Sequence, residues 1–149
     1  MAWWNKFFGA DESSRIDYYD EGLDLLAEGQ LHEALTSFRL ALKEQPGDPV
    51  ILQQIAIAYT RIGMTDEAAK TYRHVLNKDP AASGARYGLA FLLLRAGQRD
   101  EAARHLKAFL DNPPQGDDAV QHVSYARETL DQLAGSEGPA VPAVNDELS

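Results

Sequence analysis

Apolar residues recur every three or four positions through most of the chain, which is the spacing of amphipathic helices. Leu35, Phe38 and Leu42 give one clear example of this period. No stretch alternates with a period of two for long enough to indicate a β-strand. The pattern therefore predicts an all-α protein.

The helical pattern is itself repeated, because the chain matches itself at an offset of 34 residues. Five columns are identical in all three units: Gly29/Gly63/Gly97, Glu33/Glu67/Glu101, Ala34/Ala68/Ala102, Leu42/Leu76/Leu110 and Pro46/Pro80/Pro114. The glycine column falls where a left-handed residue would end a first helix, and the proline column prevents a second helix from continuing. Each unit is therefore predicted to be a pair of antiparallel helices.

The repeated unit resembles the tetratricopeptide repeat (TPR) family over about residues 15 to 116. The similarity lies in the small residue of the first helix, the glycine turn, the Glu-Ala pair, the aromatic residue four positions later and the final proline. It implies a right-handed α-solenoid of antiparallel helix pairs, with about seven helices in all. Arg86 and Glu21 depart from the family pattern, since each stands where a large apolar residue is usual. We therefore expect the two outer units to pack less typically than the middle one.

When the chain is aligned on the 34-residue repeat, it divides into six segments. We predict an amphipathic aromatic N-terminal segment and hinge (1–14), repeats at 15–48, 49–82 and 83–116, a capping helix (117–134) and a disordered acidic tail (135–149). A final amphipathic helix would cover the apolar end of a helical stack. The tail is rich in small residues, proline and acidic residues, a composition typical of disorder.

Charge and composition exclude several classes of protein. Residues 1–110 carry 13 Lys/Arg and 15 Asp/Glu (net −2), and residues 111–149 carry one and eight (net −7), which sums to −9. No basic stripe is present to bind phosphates, so no nucleic-acid partner is predicted. The chain has no cysteine and no apolar run long enough to cross a bilayer. A cytoplasmic location is expected, with membrane association as an alternative.

No arrangement of side chains typical of an enzyme is found. His32, His74, His105 and His122 are not spaced as metal ligands, and the motif at 32–35 (HEAL) lacks the second histidine of a zinc-protease helix. No glycine-rich phosphate loop follows a strand. We predict no catalytic residue, no metal site and no cofactor.

The family resemblance implies a concave groove, lined by the first helices, that holds peptide segments or helices of other proteins. Its residues map onto Tyr19, Leu23, Gln53, Gln54, Ile57, Arg61, Tyr87, Phe91 and Arg95. Most are apolar or aromatic, so the expected partner is another protein with an apolar helix or extended segment, with Arg61 and Arg95 meeting acidic groups at the rim. For Ile16, Leu26 and Leu94, periodicity leaves open whether the side chain belongs to the core or to the groove.

One known use of such a groove is not expected here. Family members that grip the C-terminal carboxylate of heat-shock chaperones use two lysines, two asparagines and an arginine, which are cationic and amide donors. The matching residues are Tyr19, Leu23, Gln54, Gly84 and Gly88. Only Gln54 resembles that donor set, so a chaperone carboxylate clamp is not predicted.

The N-terminal sequence WWNKFF concentrates aromatic residues. On a helical wheel Trp3, Trp4, Phe7 and Phe8 fall within an arc of about 140°. A helix this short needs a surface on which to form. The first repeat, a membrane interface, a partner and the groove itself are the candidate surfaces. The protein is accordingly predicted to be a soluble adaptor, with a peripheral membrane scaffold and a self-associating structural protein as alternatives.

Overall fold

The computed structural model describes residues 17–136, and this range contains helices and no strand. The helices are α1 Tyr18–Ala27, α2 Leu31–Glu44, α3 Pro49–Ile62, α4 Thr65–Lys78, α5 Ser83–Arg95, α6 Arg99–Asp111 and α7 Asp117–Ser136. They form three successive helix pairs followed by one further helix. The predicted α-solenoid of antiparallel helix pairs is confirmed.

Each helix packs chiefly against the helices that precede and follow it in the chain. The first helices of successive units also contact one another, α1 with α3 and α3 with α5. The core consists of three clusters, one after another along the array, which include Phe38, Leu89 and Phe109 respectively. All three of these side chains are almost completely buried. The core is thus a series of local clusters rather than one central cluster.

The glycine column makes three equivalent turns between paired helices. Gly29, Gly63 and Gly97 have φ of 82°, 100° and 80°, the left-handed region that favours glycine. In the middle turn the amide of Met64 donates to the Tyr59 carbonyl at 2.9 Å, which is the hydrogen bond of a Schellman C-cap. The same sequence position therefore reverses the chain in the same way three times.

A column of small residues lets the paired helices approach closely. A Cβ atom added to Gly22 would lie 2.5 Å from Cε1 of Phe38, so the ring of α2 occupies the space that a side chain on α1 would need. The equivalent residues Ala56 and Ala90 are completely buried. Small residues at this column therefore allow the paired helices to lie in close contact.

The two departures from the family pattern have local hydrogen bonds. Glu21 accepts a hydrogen bond from the Ser37 hydroxyl at 3.0 Å, and Ser37 is the only buried polar side chain among residues 17–136. Arg86 Nη2 donates to the Pro80 carbonyl at 3.0 Å. Polar side chains are tolerated at these positions because each has a partner.

Several predictions concern residues outside 17–136. The aromatic segment with Trp3, Trp4, Phe7 and Phe8 lies there, as do Ile16 and most of the acidic tail. These stay predictions.

Candidate partner-binding groove

The candidate groove is lined by α1, α3, α5 and α7, which run parallel to one another. Gln53, Gly84 and Asp118 lie in the first two turns of α3, α5 and α7, and all three line one cavity of about 450 Å³. Asp17 and Val50, at the starts of α1 and α3, line a neighbouring cavity of about 330 Å³. The N-terminal ends of these helices therefore meet along one edge of the array. We call it the N-terminal edge of the groove.

The central cavity, which is the 450 Å³ cavity between α3, α5 and α7, has largely apolar walls. Ile57, Tyr72, Tyr87 and Phe109 are among its apolar lining residues. Burial raises the pKa of the Tyr72 phenol, although a hydrogen bond with Thr60 acts in the opposite direction. This cavity is suited to an apolar side chain.

A second cavity lies between α5 and α7 at the opposite ends of these helices. Its volume is about 580 Å³, and we call it the C-terminal cavity. Phe91, Leu94, Tyr125 and Leu133 form its apolar wall.

Six of the nine predicted groove residues line one of these three cavities. Tyr19 lines the cavity at α1, while Gln53, Ile57 and Tyr87 line the central cavity and Phe91 and Arg95 the C-terminal cavity. The other three, Leu23, Gln54 and Arg61, line none of them.

Two of the remaining three residues, Leu23 and Arg61, have identifiable surroundings. Leu23 packs against the first core cluster. The Arg61 guanidinium donates to the Leu26 carbonyl at 2.8 Å and so ties α3 to the end of α1. Of the residues whose position was left open, Leu26 is buried in the core and Leu94 is half-buried.

Aromatic side chains connect the central and C-terminal cavities. The ring centroids of Tyr87 and Phe91 are 4.8 Å apart, and Phe91 stacks on Tyr125 at 5.1 Å with an interplanar angle of 14°. Tyr87 also contacts Phe109 at 5.3 Å and meets the edge of His122 at 5.0 Å. Burial raises the pKa of the Tyr87 phenol, and the nearby Tyr125 adds to this effect. We call Tyr87, Phe91, His122 and Tyr125 the aromatic cluster.

Two members of the aromatic cluster were missed by the sequence reasoning. Tyr125 and His122 belong to α7, which the sequence pattern predicts as a capping helix. Tyr125 follows Phe91 by 34 residues and His122 follows Gly88 by 34. Continuing the repeat register into α7 would have placed both on the groove. Tyr125 remains 54% exposed, so the groove surface extends onto α7.

The two edges of the groove differ in charge. Asp17, Glu44 and Asp48 line the cavity at α1, and Asp118 lines the central cavity. Arg95 and Arg99 line the C-terminal cavity, which has no carboxylate among its described lining residues. The groove is therefore acidic at its N-terminal edge and basic at the other end.

A further charged cluster lies on the second helices, α4 and α6. Arg73 Nη2 is 3.1 Å from Glu101 Oε2, and His105 Nε2 is 3.6 Å from the same oxygen. The hydrogen bond from Arg73 holds the pKa of Glu101 below its usual value. Burial lowers the pKa of His105, although Glu101 opposes this shift. The cluster joins neighbouring repeats.

Stacked antiparallel helix pairs with a groove on one face define an α-solenoid of the helical-repeat class. A family model for the tetratricopeptide repeat matches residues 25–80 and again 63–124. Together these matches cover more than half of the chain, which therefore belongs to the tetratricopeptide repeat family. That family is one of interaction modules, and the comparisons indicate no catalytic family.

Solved structures show the same fold. The type III secretion chaperone SycD of Yersinia enterocolitica, in complex with a peptide of the translocator YopD, matches with a TM-score of 0.76 and 15% identity, over 81% of this chain and 92% of that one. The TPR domain of P58(IPK) matches with a TM-score of 0.71 and 27% identity, over 78% and 31%. The first TPR of Spaghetti (RPAP3), bound to the HSP90 peptide SRMEEVD, matches with a TM-score of 0.65 and 17% identity, over 76% and 90%.

No curated protein sequence matches the chain. Within residues 17–136, none of the helices combines the length and apolar character needed to span a bilayer.

Proposed function

We propose that this chain is a non-catalytic adaptor or assembly scaffold whose concave groove holds an apolar helix or extended peptide of another protein. The observation that carries the proposal is the aromatic cluster, which connects two cavities on the groove side of the array. The similar structures of SycD and RPAP3 were each determined with a bound peptide, which supports this mode of binding.

The aromatic cluster is suited to anchoring a ligand. Tyr87 and Phe91 are half-buried, and ring contacts with Phe109, Tyr125 and His122 hold them before any partner arrives. Little side-chain entropy is then lost on binding. Residues of this kind, in desolvated pockets, supply most of the free energy of many interfaces. The cavities on either side would accept apolar side chains that a helix presents three or four positions apart.

The groove is not proposed to bind a chaperone C-terminal carboxylate in the manner of a clamp. Gly84 and Gly88 have no side chain, and Gly88 faces the ring of Tyr72, which would lie 2.5 Å from a Cβ at that position. A longer donor cannot be placed there without moving a buried ring. The complex of RPAP3 with an HSP90 peptide therefore supports peptide binding by such a fold, but it does not indicate that this chain binds the same kind of peptide.

The test is a partner capture from native lysate with four forms of the full chain. Wild type is compared with Tyr125→Ala and with Tyr87→Ala/Phe91→Ala. A matched control, Lys70→Ala/Arg104→Ala, removes exposed side chains from the second helices α4 and α6. Circular dichroism establishes that each variant is folded.

Loss of aromatic anchors should reduce partner recovery, since an anchor contributes about 2 kcal/mol or more, roughly a 30-fold change in Kd. The control variant should recover the same partners as wild type. If the aromatic variants remain folded and retain an unchanged partner list, the groove assignment is wrong.

A further inference from the structure

The C-terminal cavity combines apolar walls with positive charge, which favours an occupant that is both apolar and acidic. Phe91 and Tyr125 stack to form one wall, and Leu94 adds apolar surface beside them. Arg95 and Arg99 supply positive charge. Neither arginine forms an ion pair with a carboxylate of residues 17–136. An acidic segment with small apolar side chains would match both properties.

The described chain ends at this cavity. Ser136, the last residue of α7, is one of its lining residues. The Ser136 hydroxyl accepts a hydrogen bond from the Arg99 guanidinium. The described part of the chain therefore ends at the wall of the cavity, beside a positively charged side chain.

The following segment has the matching chemistry. Residues 137–149 read EGPAVPAVNDELS, which contains three acidic residues, two valines and a leucine. Their fully extended length is about 40 Å, far more than is needed to turn back into an adjoining cavity. Such a segment cannot form a core of its own and can become ordered on a surface that it contacts.

We infer that residues 137–149 of this chain bind in the C-terminal cavity of the same molecule. Charge favours this cavity over the other two, because carboxylates such as Asp48 and Asp118 line those cavities and would repel an acidic segment. Attachment through α7 keeps the segment beside the cavity at high effective concentration. Arg95 and Arg99 pair with its carboxylates, and its valines cover Phe91 and Tyr125.

The docked segment would regulate the groove. Phe91 and Tyr125 belong both to the C-terminal cavity and to the aromatic cluster. A segment that covers them competes with any peptide that needs the same rings. If it occupies the cavity in about 90% of molecules, it weakens the apparent affinity of the competing peptide about tenfold.

The test uses paramagnetic relaxation on the full chain. The sequence has no cysteine, so Asn145→Cys gives a single site for a spin label in the segment. We expect the label to broaden the amide signals of Leu94, Arg95 and Tyr125. Arg95→Gln/Arg99→Gln, or raised salt, should restore these signals. Arg104→Gln/Arg127→Gln removes the same charge from exposed helix positions and should restore nothing.

Mixing experiments distinguish the source of the segment. Spin-labelled chain without isotope is added to isotope-labelled chain without a spin label. If the broadening appears in the mixture, the segment comes from a second copy and the intramolecular proposal is overturned. It is also overturned if a folded, labelled chain shows no broadening at Leu94 and Tyr125. Either result leaves the adaptor proposal standing, because partner capture tests that separately.

Discussion

The substitution Gly22→Ala is expected to destabilise the array, although alanine is the better helix former. The added Cβ would lie 2.5 Å from Cε1 and 2.6 Å from Cδ1 of Phe38. Phe38 is 0% exposed, so its ring cannot move out into solvent. Either the ring or the whole of α2 must shift away from α1.

The change in the free energy of unfolding caused by Gly22→Ala is the sum of two opposed effects. Replacing a helical glycine by alanine stabilises a helix by about 1 kcal/mol. Overpacking a close-packed core costs about 1–3 kcal/mol. The net loss is about 0–2 kcal/mol, and each kcal/mol lowers Tm by about 2–4 °C in a chain of this size.

A matched control isolates the overpacking. Gly135 lies in α7, and a Cβ added there would meet no atom within 4 Å apart from its chain neighbours and the nearby backbone of its own helix, so Gly135→Ala makes the same chemical change in open space. We expect Gly135→Ala to be neutral or stabilising by up to about 1 kcal/mol. The difference between the two variants, about 1–3 kcal/mol, measures the contact with Phe38.

The assay is urea and thermal unfolding followed by far-ultraviolet circular dichroism. A second-site change, Phe38→Leu, should relieve the contact, because the third repeat pairs Ala90 with Leu106 at these positions. Gly22→Ala should therefore cost less in the Phe38→Leu background than in wild type. If Gly22→Ala stabilises the chain as much as Gly135→Ala, the close approach is not what requires glycine at this position.

Three other predictions address a helix cap, pH dependence and the N-terminal segment. Asp48 accepts hydrogen bonds from the amides of Val50 (2.8 Å) and Ile51 (3.2 Å), so Asp48→Ala should lower the free energy of unfolding by about 0.5–2 kcal/mol in urea titrations, and Asp48→Asn by less. Burial lowers the pKa of His105 in the folded chain, so the unfolded chain binds more protons and stability should fall as pH drops below about 6.5. Unfolding titrations across this range should show a smaller fall for His105→Gln, and an identical fall would contradict the assignment. If WWNKFF tethers the chain to membranes, intact protein should pellet with anionic lipid vesicles and protein lacking residues 1–10 should not; intact protein that stays in the supernatant would rule out the tether.

The fold could be predicted because its determinants are local and occur three times. Gly29, Gly63 and Gly97 each end a first helix in the left-handed conformation, as their register predicts. Each helix of a pair makes its most extensive contacts with the other helix of that pair, so the sequence of each unit contains most of the information about its own packing.

The binding surface was predicted less completely, for two physical reasons. α5 is buried on most sides by α4, α6 and α7, so its apolar residues show little preference for one face, and periodicity cannot separate Leu89 in the core from Phe91 in the groove. The contribution of α7 depends on contacts between helices. The amphipathic pattern of residues 117–134 predicts a capping helix, while Tyr125 and His122 on the same helix complete the aromatic cluster.

The position of α7 at the end of the array has a consequence for local opening. Among residues 17–136, α7 has neighbouring helices on one side only, so it is expected to detach at a lower free energy than the array needs to unfold. Its amide protons should then exchange with solvent sooner than those of α3 and α4, which have neighbours on both sides. Each such detachment would separate Tyr125 from Phe91 and open the C-terminal cavity while the first two repeats stay folded.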